Sequence, residues 1–448
     1  MQCSVQIVVE LAPDARVSQM EAAIQEAGRQ AIRAAFKQAV RAFEAAHAEC
    51  PHCGEAQSQP QGTVARRVLT CFGRVALALR RRRCGACGRR FRPAQRCLAV
   101  LEGSNVTPEL AGACALAGAS WPYATAARVL HALCGAQVSD EQVRRWTVRL
   151  GQREAAEQRQ EAERLLAPPP SKYARSARRQ PCRPHQRLLV GLDGGWLPRR
   201  EQPGGMEGKV GVVATGTEVV GQHGRQRLIP RRYVATFGTG EQVGTLTYAS
   251  AVRLGGDRAR EQVVLGDGAA WIKTQAALHF PAAVGILDWA HLSRALHKAI
   301  RAARPGRSHR DHRRELHRTL PTLLWHGDLA ATLAALRALR PVSPASSASS
   351  ASSASSAALA EPIPALEQTI RYLEGQRTWL GNYAAWQEAG YPVGSGLIER
   401  AVALVINWRM KGRGMRWRRA NASAVVARRV RELNVGWEPA TGPTPLAA

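Results

Sequence analysis

The spacing of apolar residues predicts one long helix near the start of the chain. From Val17 to Ala46 they recur every three or four residues, which is the period of an amphipathic helix. The segment before it, SVQIVVEL at residues 4–11, is rich in β-branched residues and predicts a short strand. We therefore interpret residues 1–49 as a strand followed by a helix that packs on its own domain, with a dimerising helix as the alternative.

Two cysteine pairs follow this helix. Cys50 and Cys53 form one CxxC motif and Cys84 and Cys87 form another, and the 30 residues between Cys53 and Cys84 alternate like a β-hairpin. Each motif can present two thiolates to one tetrahedral metal ion, so the pattern predicts a four-cysteine zinc ribbon over residues 50–98. Unrelated structural cysteines are the alternative. A thioredoxin-type redox pair is disfavoured because neither motif lies between a strand and a helix.

Three helical patterns lie between residues 104 and 166. They are TPELAGACALAGA, with Thr107 as N-cap and Pro108 in the first turn, YATAARVLHALC, and SDEQVRRWTVRLGQR, with Ser139 as a candidate cap. Three short helices with a basic third member are typical of a helix-turn-helix module, although a plain packing unit has the same pattern. The predicted DNA contacts are Arg144, Arg145 and Arg149.

Strands and helices alternate after a Pro- and Arg-rich segment at residues 167–186, which predicts a linker. RLLVGLD, KVGVVATG and RRYVATFG predict three strands, and GEQVGTLTYASAVRL predicts a helix. EQVVLGDG then predicts a strand, a helix begins at Ala269, and AVGILDWAH predicts a strand that leads into a helix. This order predicts a mixed α/β domain around a central sheet, of which residues 187–303 form the first part.

The remaining segments predict a helical insertion and a basic end. Residues 304–393 are mostly helical in pattern, but a serine–alanine run at 341–360 cannot form a packed core and predicts disorder. Residues 394–435 predict a helix followed by a basic and aromatic tract, and residues 436–448 form a tail. Basic side chains neutralise phosphate and aromatic faces stack unpaired bases, so we expect this tract to bind DNA. A soluble basic tail is the alternative. The residues concerned are Arg409, Lys411, Arg413, Arg416, Trp417, Arg418 and Arg419.

Composition indicates a polyanionic partner. The 63 basic and 34 acidic residues leave a formal charge of +29 over 448 residues. Such a charge favours nucleic acid, because neutralising phosphates releases condensed counterions. GC-rich coding bias is the alternative, but it does not account for the scarcity of acids. No apolar run approaches the length of a membrane helix and the first residues lack a secretory signal, so we expect a cytoplasmic, nucleoid-associated protein whose cysteines are thiols or metal ligands.

Three carboxylates of this basic chain stand at positions where side chains can converge. Asp193 ends one predicted strand, and Asp267 ends another between two glycines. Glu399 lies one turn into a helix that Ser395 could cap. Taken singly, these residues could be a turn residue, an Asx turn and a complement to the helix dipole. Taken together, they predict a site for Mg²⁺ or Mn²⁺, because a divalent cation relieves the repulsion between neighbouring carboxylates.

The motifs GLDGGW, LGDGAAW, LDWAHL and GSGLIERA resemble those of DDE transposases of bacterial insertion sequences. The similarity covers residues 187–435 and is greatest to the Mutator-like branch, which carries a (C/D)xxH motif after the second aspartate. It implies a ribonuclease H-like fold with an all-helical insertion. It also implies a catalytic, metal-binding triad of Asp193, Asp267 and Glu399. Asp288 and His291 would be the DxxH pair; we expect them to support the site, and a buried hydrogen-bonded histidine is the alternative.

The resemblance implies a DNA transposase that cleaves the ends of an insertion sequence and transfers the freed strand to a target. The expected partners are double-stranded DNA, as terminal repeats and as target, and further copies of the chain when two ends are held together. Two other classes stay open. One is a non-catalytic zinc-ribbon and helix-turn-helix regulator derived from a transposase, and the other is a ribonuclease H-like nuclease without strand transfer. A tyrosine or serine recombinase is disfavoured because the His/Arg cluster at 309–318 has no convincing partner nucleophile.

Overall fold

The computed structural model describes residues 5–98, 104–167, 186–220, 225–228, 231–341, 362–394 and 396–435. The chain divides into two compact units, one formed by Met1–Ala155 with Ala424–Ala448 and the other by Ala156–Ser423. Outside the described residues lie Ser395, the tail, residues 168–185 of the predicted linker and residues 342–360 of the serine–alanine run. Of the part that the structure describes, no helix is both long enough and apolar enough to cross a membrane.

The first unit begins with the predicted helix but without the predicted strand. Helix α1 (Val17–Ala46) is confirmed at both ends. The predicted strand over residues 4–11 is wrong for its described part, because residues 5–11 form neither strand nor helix. Ile7 and Val8 are 52% and 71% exposed. β-Branched residues favour strands only where a neighbouring strand and a core can receive them, and these do not have them.

A small antiparallel sheet follows, as the ribbon pattern predicts. Its strands β1 (Ser58–Thr70), β2 (Gly73–Cys84) and β3 (Arg90–Phe91) lie in that order, and the short helix α2 (Gln95–Leu98) comes after them. The hairpin turn needs a left-handed residue, which Gly73 supplies at φ 105°. Val68, Val75 and Leu77 point to one side of the hairpin and form a core with Val40 of α1.

The three predicted helices are present as α3 (Pro108–Ser120), α4 (Tyr123–Cys134) and α5 (Asp140–Leu166). The Thr107 side chain caps α3 by accepting the backbone N–H of Leu110, and the Ser139 hydroxyl accepts that of Gln142 at the start of α5. Helix α5 extends well beyond its predicted end, since the Ala-, Glu- and Gln-rich sequence that follows is also favourable for a helix. The close packing of α3 on α5 requires Gly118, where an added Cβ would come within 2.1 Å of the Thr147 hydroxyl.

The last helix, α15 (Arg419–Val435), supplies the C-terminal part of the first unit from Ala424 onward. Its Arg428 forms an ion pair with Glu154 of α5, and both side chains are nearly buried. Arg431 lies 3.7 Å from the same carboxylate. Removing one partner of a buried pair leaves the other charge unmatched, so this pair fixes the position of α15 within the unit.

The second unit contains a mixed five-stranded sheet in the order β10-β9-β4-β5-β8. Strands β4, β9 and β10 are parallel to one another, and β5 is antiparallel to both of its neighbours. A separate antiparallel pair, β6 and β7, has no counterpart in the sequence analysis. The strands are β4 (Arg187–Pro198), β5 (Gly205–Ala214), β6 (Thr217–Val220), β7 (Arg225–Leu228), β8 (Arg231–Thr236), β9 (Glu261–Gly266) and β10 (Val284–Leu287).

The core of the second unit lies around these parallel strands and continues into the insertion. Leu188, Val264 and Ile286 are fully buried and belong to one cluster with Leu336 and Leu373 of the helical part. The parallel strands therefore carry near-continuous apolar runs, as strands covered on both faces do. This confirms the coarse prediction of a mixed α/β protein.

The stretch after the last strand is mostly helical in its described residues, as predicted. A π-helical segment, Ala403–Asn407, joins the helix of Glu399 to the next short helix. The helices are α6 (Gly240–Arg253), α7 (Ala270–His279), α8 (Trp289–Ala303), α9 (Arg310–Trp325), α10 (Leu329–Ala338), α11 (Pro364–Gly375), α12 (Tyr383–Glu388), α13 (Gly396–Val402) and α14 (Trp408–Met410).

Candidate metal centres

Three aspartates lie just beyond the parallel-paired residues of β4, β9 and β10. Asp267 directly follows β9, and Asp288 directly follows β10. Asp193 lies two residues beyond Gly191, the last residue of β4 that pairs with β9. The backbone N–H of Asp288 donates to the carbonyl of Gly266, which ties two of the strand ends together at 2.8 Å. Because adjacent parallel strands end at one edge of the sheet, their terminal side chains can share a ligand.

Asp193 does not end its strand, contrary to the sequence prediction. Strand β4 continues to Pro198, and Asp193 is paired with Val210 of β5. The glycine pair after Asp193 resembles a turn in the sequence, but antiparallel pairing with β5 keeps it extended. At Asp193, β4 is therefore paired on one side only. Its antiparallel pairing with β5 continues to Pro198, whereas its parallel pairing with β9 ends at Gly191.

Glycines beside Asp193 allow helix α13 to approach the sheet. Gly191, Asp193 and Gly195 share one face of β4 because side chains alternate along a strand. A Cβ at Gly191 would lie 3.2 Å from the Cβ of Ile398, and a Cβ at Gly195 would lie 3.1 Å from Val402. Helix α13 thus covers this face, and Asp193 emerges between the two points of contact.

The variant Gly195→Val tests this close approach. The added methyl groups would meet Val402 and Ile406, and overpacking of this kind costs about 1–3 kcal/mol. We expect a lower free energy of unfolding in urea. The control is Gly28→Ala on α1, where an added Cβ meets nothing within 4 Å and should stabilise by about 0.5–1 kcal/mol. A Gly195→Val variant as stable as the parent chain would contradict the packing described for α13.

Glu399 lies on α13 and faces α8. One of its carboxylate oxygens could join ligand atoms of Asp288 and His291, since all three lie within 4.8 Å of one another. Arg294 of α8 stands 3.6 Å from Glu399, and these two side chains are 64% and 51% exposed. An exposed pair of this length contributes little to stability, so the carboxylate stays available to a stronger ligand.

Asp288 and His291 form a coupled pair at the start of α8. Asp288 caps the helix by accepting the N–H of Ala290 at 3.1 Å, and its other oxygen accepts a hydrogen bond from His291 Nδ1. Burial raises the pKa of Asp288, but the hydrogen bond from His291 outweighs it and leaves the pKa below its usual value. The same hydrogen bond raises the pKa of His291. The hydrogen bond fixes the orientation of the His291 ring. It agrees with both interpretations of the pair, a role in supporting the site and a hydrogen-bonded structural histidine.

Asp193 is surrounded by the other acids. Burial, with a smaller effect from the charges of Asp267 and Asp288, raises its pKa to about 6 against the opposing effects of the Gly194 N–H and the charge of His291. A desolvated carboxylate next to like charges is stabilised by a cation. Its environment therefore favours binding of a divalent ion.

Charge interactions connect Asp193 with Asp267, Asp288 and His291, and Glu399 lies near the last two; we call these five residues the acidic cluster. Within the described residues, the ligand atoms of Asp193, Asp267 and Glu399 are not all within 4.8 Å of one another. The three that meet this distance are Asp288, His291 and Glu399, a group that could hold a metal ion. The acidic cluster consists of Asp193, Asp267, Asp288, His291 and Glu399.

The helical insertion supports the loop of Asp267, which the sequence analysis did not foresee. Tyr372 of α11 donates its hydroxyl to the carbonyl of Asp267 at 2.9 Å. The Gln376 amide donates to the carbonyl of Gly268 at 2.9 Å, and Gly268 adopts a left-handed φ of 84°. Asp267 itself accepts the N–H of Ala269 at 2.9 Å, so both its backbone and its side chain are fixed. The GDG sequence indicates a turn at Asp267, but no local pattern indicates the contacts with Tyr372 and Gln376.

The four predicted zinc ligands lie together in the first unit. The sulfur atoms of Cys50 and Cys87 are 3.7 Å apart, and those of Cys53 and Cys84 are 3.5 Å apart. A tetrahedral site with bonds of about 2.3 Å has sulfur atoms about 3.8 Å apart, so the group could hold zinc. The backbone N–H of Cys87 donates to Cys84 and lowers the pKa of that thiol to about 7, which favours the thiolate that binds metal.

The predicted DNA contacts on α5 have different environments. Arg144 forms a two-pronged ion pair with Glu141 at 2.6 Å, so its guanidinium is engaged within the helix. Arg145 and Arg149 are exposed. Arg145 and Arg149 thus differ from Arg144 in their greater exposure.

The basic tract after Glu399 is only partly exposed. Arg409 and Trp417 are 3% and 7% exposed, and the guanidinium of Arg409 lies 5.0 Å from the centre of the Trp417 ring. Trp417 also donates its ring N–H to the carbonyl of Met410 at 3.0 Å. These two residues pack inside the unit, which differs from the prediction that they contact DNA. The members of the tract that remain exposed are Lys411, Arg413, Arg416, Arg418 and Arg419.

The structure thus defines a mixed α/β protein with a four-cysteine group that could hold zinc and an acidic group that could hold a second metal ion. No family model matches the chain, and no curated protein matches it. The functional argument therefore depends on the geometry of these two sites.

Proposed function

We propose that the chain is a DNA transposase of the DDE type with a ribonuclease H-like catalytic domain. The observation that carries the proposal is the position of Asp193 and Asp267, each two residues beyond the last parallel pair of β4 and β9, with the helix of Glu399 packed on the same face as Asp193. All three members of the triad that the resemblance implies belong to the acidic cluster. Phosphodiester chemistry by metal-dependent enzymes needs such a convergence of carboxylates.

The sheet topology supports the catalytic domain of this proposal. Strands β4, β5 and β8 form an antiparallel meander, and β9 and β10 pair in parallel on the other side of β4, which is thus the central strand of the sheet. Helices α6 and α7 precede β9 and β10 respectively, as helical crossover connections to parallel strands do. This arrangement is compatible with a ribonuclease H-like core, and α9–α12 would be its all-helical insertion before Glu399.

Each residue of the acidic cluster has a role in the proposed reaction. Asp193, Asp267 and Glu399 would hold Mg²⁺ or Mn²⁺, which supplies Lewis acidity to the attacking and the leaving oxygen when bound. Asp288 fixes His291 and lies within reach of Glu399, so the pair positions that carboxylate and could also contribute ligand atoms. Tyr372 keeps the Asp267 loop in place.

The proposed chemistry consists of two substitutions at phosphorus. Water attacks the phosphodiester at the end of the element, the bond to the 3′ oxygen breaks, and a free 3′-hydroxyl results. That hydroxyl then attacks a phosphodiester of the target, forms the new bond and displaces the target's own 3′ oxygen. The protein forms no covalent bond to DNA in either substitution. The zinc ribbon and the helical module would bind the ends of the element.

A second candidate is a non-catalytic DNA-binding regulator. It is favoured by one observation: the four cysteines form a complete ligand set, whereas Asp193, Asp267 and Glu399 do not all lie within 4.8 Å of one another. Under this proposal the chain would bind DNA through its first unit, and the acidic cluster would have no role in cleavage.

The test uses the purified, zinc-loaded chain and labelled duplexes from the DNA that flanks its own gene, with Mg²⁺ or Mn²⁺. Cleavage that leaves a 3′-hydroxyl, followed by joining to a target plasmid, supports the transposase. Hydrolysis without joining supports a nuclease, and binding without either reaction supports the regulator. Omitting the divalent ion, rather than adding a chelator, is the control that leaves the zinc site intact.

A further inference from the structure

The first unit contains an open groove between the ribbon hairpin and helix α5. It has a volume of about 550 Å³, and its two walls are joined by the segment at residues 104–106. The hairpin contributes Arg67 and Arg74, and α5 contributes Arg145 and Arg149. We call it the basic groove.

Strand alternation places the two hairpin arginines on the groove side. Val68 and Val75 are buried in the core beneath the hairpin, so their neighbours Arg67 and Arg74 point to the opposite face. The register pairs Leu69 with Arg74, which brings Arg67 and Arg74 close together across the two strands. Both arginines are exposed.

Helical periodicity places the other two arginines on the facing wall. Arg145 and Arg149 are four residues apart, so they lie on one side of α5 with a rise of about 6 Å between them. The guanidinium of Arg149 stands 5.3 Å from the centre of the Trp146 ring, and Trp146 is half-buried. This contact holds the Arg149 side chain along the helix.

Backbone hydrogen bonds fix the two walls relative to each other. The N–H of Leu69 donates to the carbonyl of Asn105 at 2.6 Å, and the N–H of Thr107 donates to the carbonyl of Leu69 at 3.0 Å. Arg66 adds a bond to the carbonyl of Ser104 at 3.2 Å. Thr107 caps α3, and α3 packs closely on α5. The hairpin is therefore held to the helical wall by a continuous series of contacts. A site that is already formed loses less entropy on binding.

The charge of the basic groove has one sign. Among the described residues that line it there are four arginines and no carboxylate. Glu141, at the start of α5, is paired with Arg144, which does not line the groove. Four guanidinium groups in a fixed concavity can form charge-assisted hydrogen bonds with phosphate oxygens.

We propose that the basic groove binds the phosphate backbone of duplex DNA. Among the described residues that line the groove, Trp146 is the one aromatic side chain, and it is half-buried with Arg149 over its ring, which favours a duplex over a single strand with stacked bases. This proposal rests on the proposed function in one respect, the choice of DNA as the partner. It does not require the chain to be catalytically active.

The test measures the affinity of the zinc-loaded full chain for a fluorescent duplex by anisotropy across salt concentrations, without Mg²⁺. The variants are Arg67→Ala with Arg74→Ala, and Arg145→Ala with Arg149→Ala. Each phosphate contact contributes about 0.9 to the slope of log K against log salt, so each double variant should lose about 1.8 from the slope. We also expect affinity to fall at least ~10-fold at ~0.15 M salt, since each lost contact weakens binding at every sequence.

The matched control removes two exposed arginines that do not line the groove, by Arg41→Ala with Arg128→Ala. It should keep the slope of the parent chain. Equal slopes for groove variants and control would overturn the proposal, as would tighter binding to duplex RNA or to single strands. Bound zinc and thermal melting check that each variant is folded. A chain that cleaves nothing but shows the expected slopes would refute the transposase while leaving the basic groove standing.

Discussion

Replacing Asp193 by Asn is expected to lower the rate of divalent-dependent DNA cleavage by ~10³-fold or more, a loss of about 4 kcal/mol of transition-state stabilisation. Asparagine has the same shape but no negative charge, so it cannot complete a carboxylate site for Mg²⁺. DNA affinity should stay within about twofold, because the basic groove belongs to the other compact unit and is untouched. The measurement is single-turnover cleavage of a labelled duplex with Mg²⁺ or Mn²⁺.

The control for this variant is Asp257→Asn. Asp257 is exposed and lies outside the acidic cluster, so the same loss of one charge should leave the cleavage rate unchanged. Cleavage at the parent rate by Asp193→Asn would exclude the proposed triad. Because burial raises the pKa of Asp193 to about 6, its carboxylate is protonated in the metal-free chain below that pH, and cleavage should decline as the pH falls through this region.

Replacing Cys84 by Ser is expected to abolish tight zinc binding and to unfold the ribbon end. The core around the four cysteines consists of Cys50, Cys84 and Phe91 alone among the described residues, which is too small to hold the loops together. Structural zinc sites of this kind contribute about 10–16 kcal/mol of apparent binding free energy, so the metal would supply most of the local stability. The measurements are zinc content by mass spectrometry and thermal melting.

Cys97→Ser is the matched control for the zinc site. Cys97 is a free thiol whose sulfur donates to the carbonyl of Ala94, and it is not part of the four-cysteine group. This variant should keep one zinc ion per chain and melt close to the parent temperature. A Cys84→Ser chain that also keeps one tightly bound zinc ion would refute the assignment of the ligands.

Local pattern was sufficient to predict much of the fold. The period of apolar residues predicted α1 at its observed ends, and alternation predicted the ribbon hairpin and the strands of the central sheet. It failed where pairing partners decide the outcome. The segment at residues 5–11 has strand composition but no sheet beside it, and β4 passes through a glycine pair because β5 continues alongside.

The candidate site was predictable only in part for the same reason. Asp267 could be placed because a strand end followed by glycine is visible in the sequence. The proximity of Glu399 to Asp288 and His291 depends on the packing of two helices far apart in sequence, and no local pattern encodes it. The burial of Trp417 likewise follows from tertiary contacts, which is why a basic and aromatic sequence predicted an exposed surface there.

The central claim is that Asp193 and Glu399 contribute to one divalent-ion site, and Mn²⁺ binding tests it most directly. Electron paramagnetic resonance titration of the zinc-loaded full chain should show tight Mn²⁺ binding. That binding should be lost equally in Asp193→Asn and in Glu399→Gln, and retained in Asp257→Asn. Unchanged Mn²⁺ binding in Asp193→Asn, or no tight binding in the parent chain, would contradict the account.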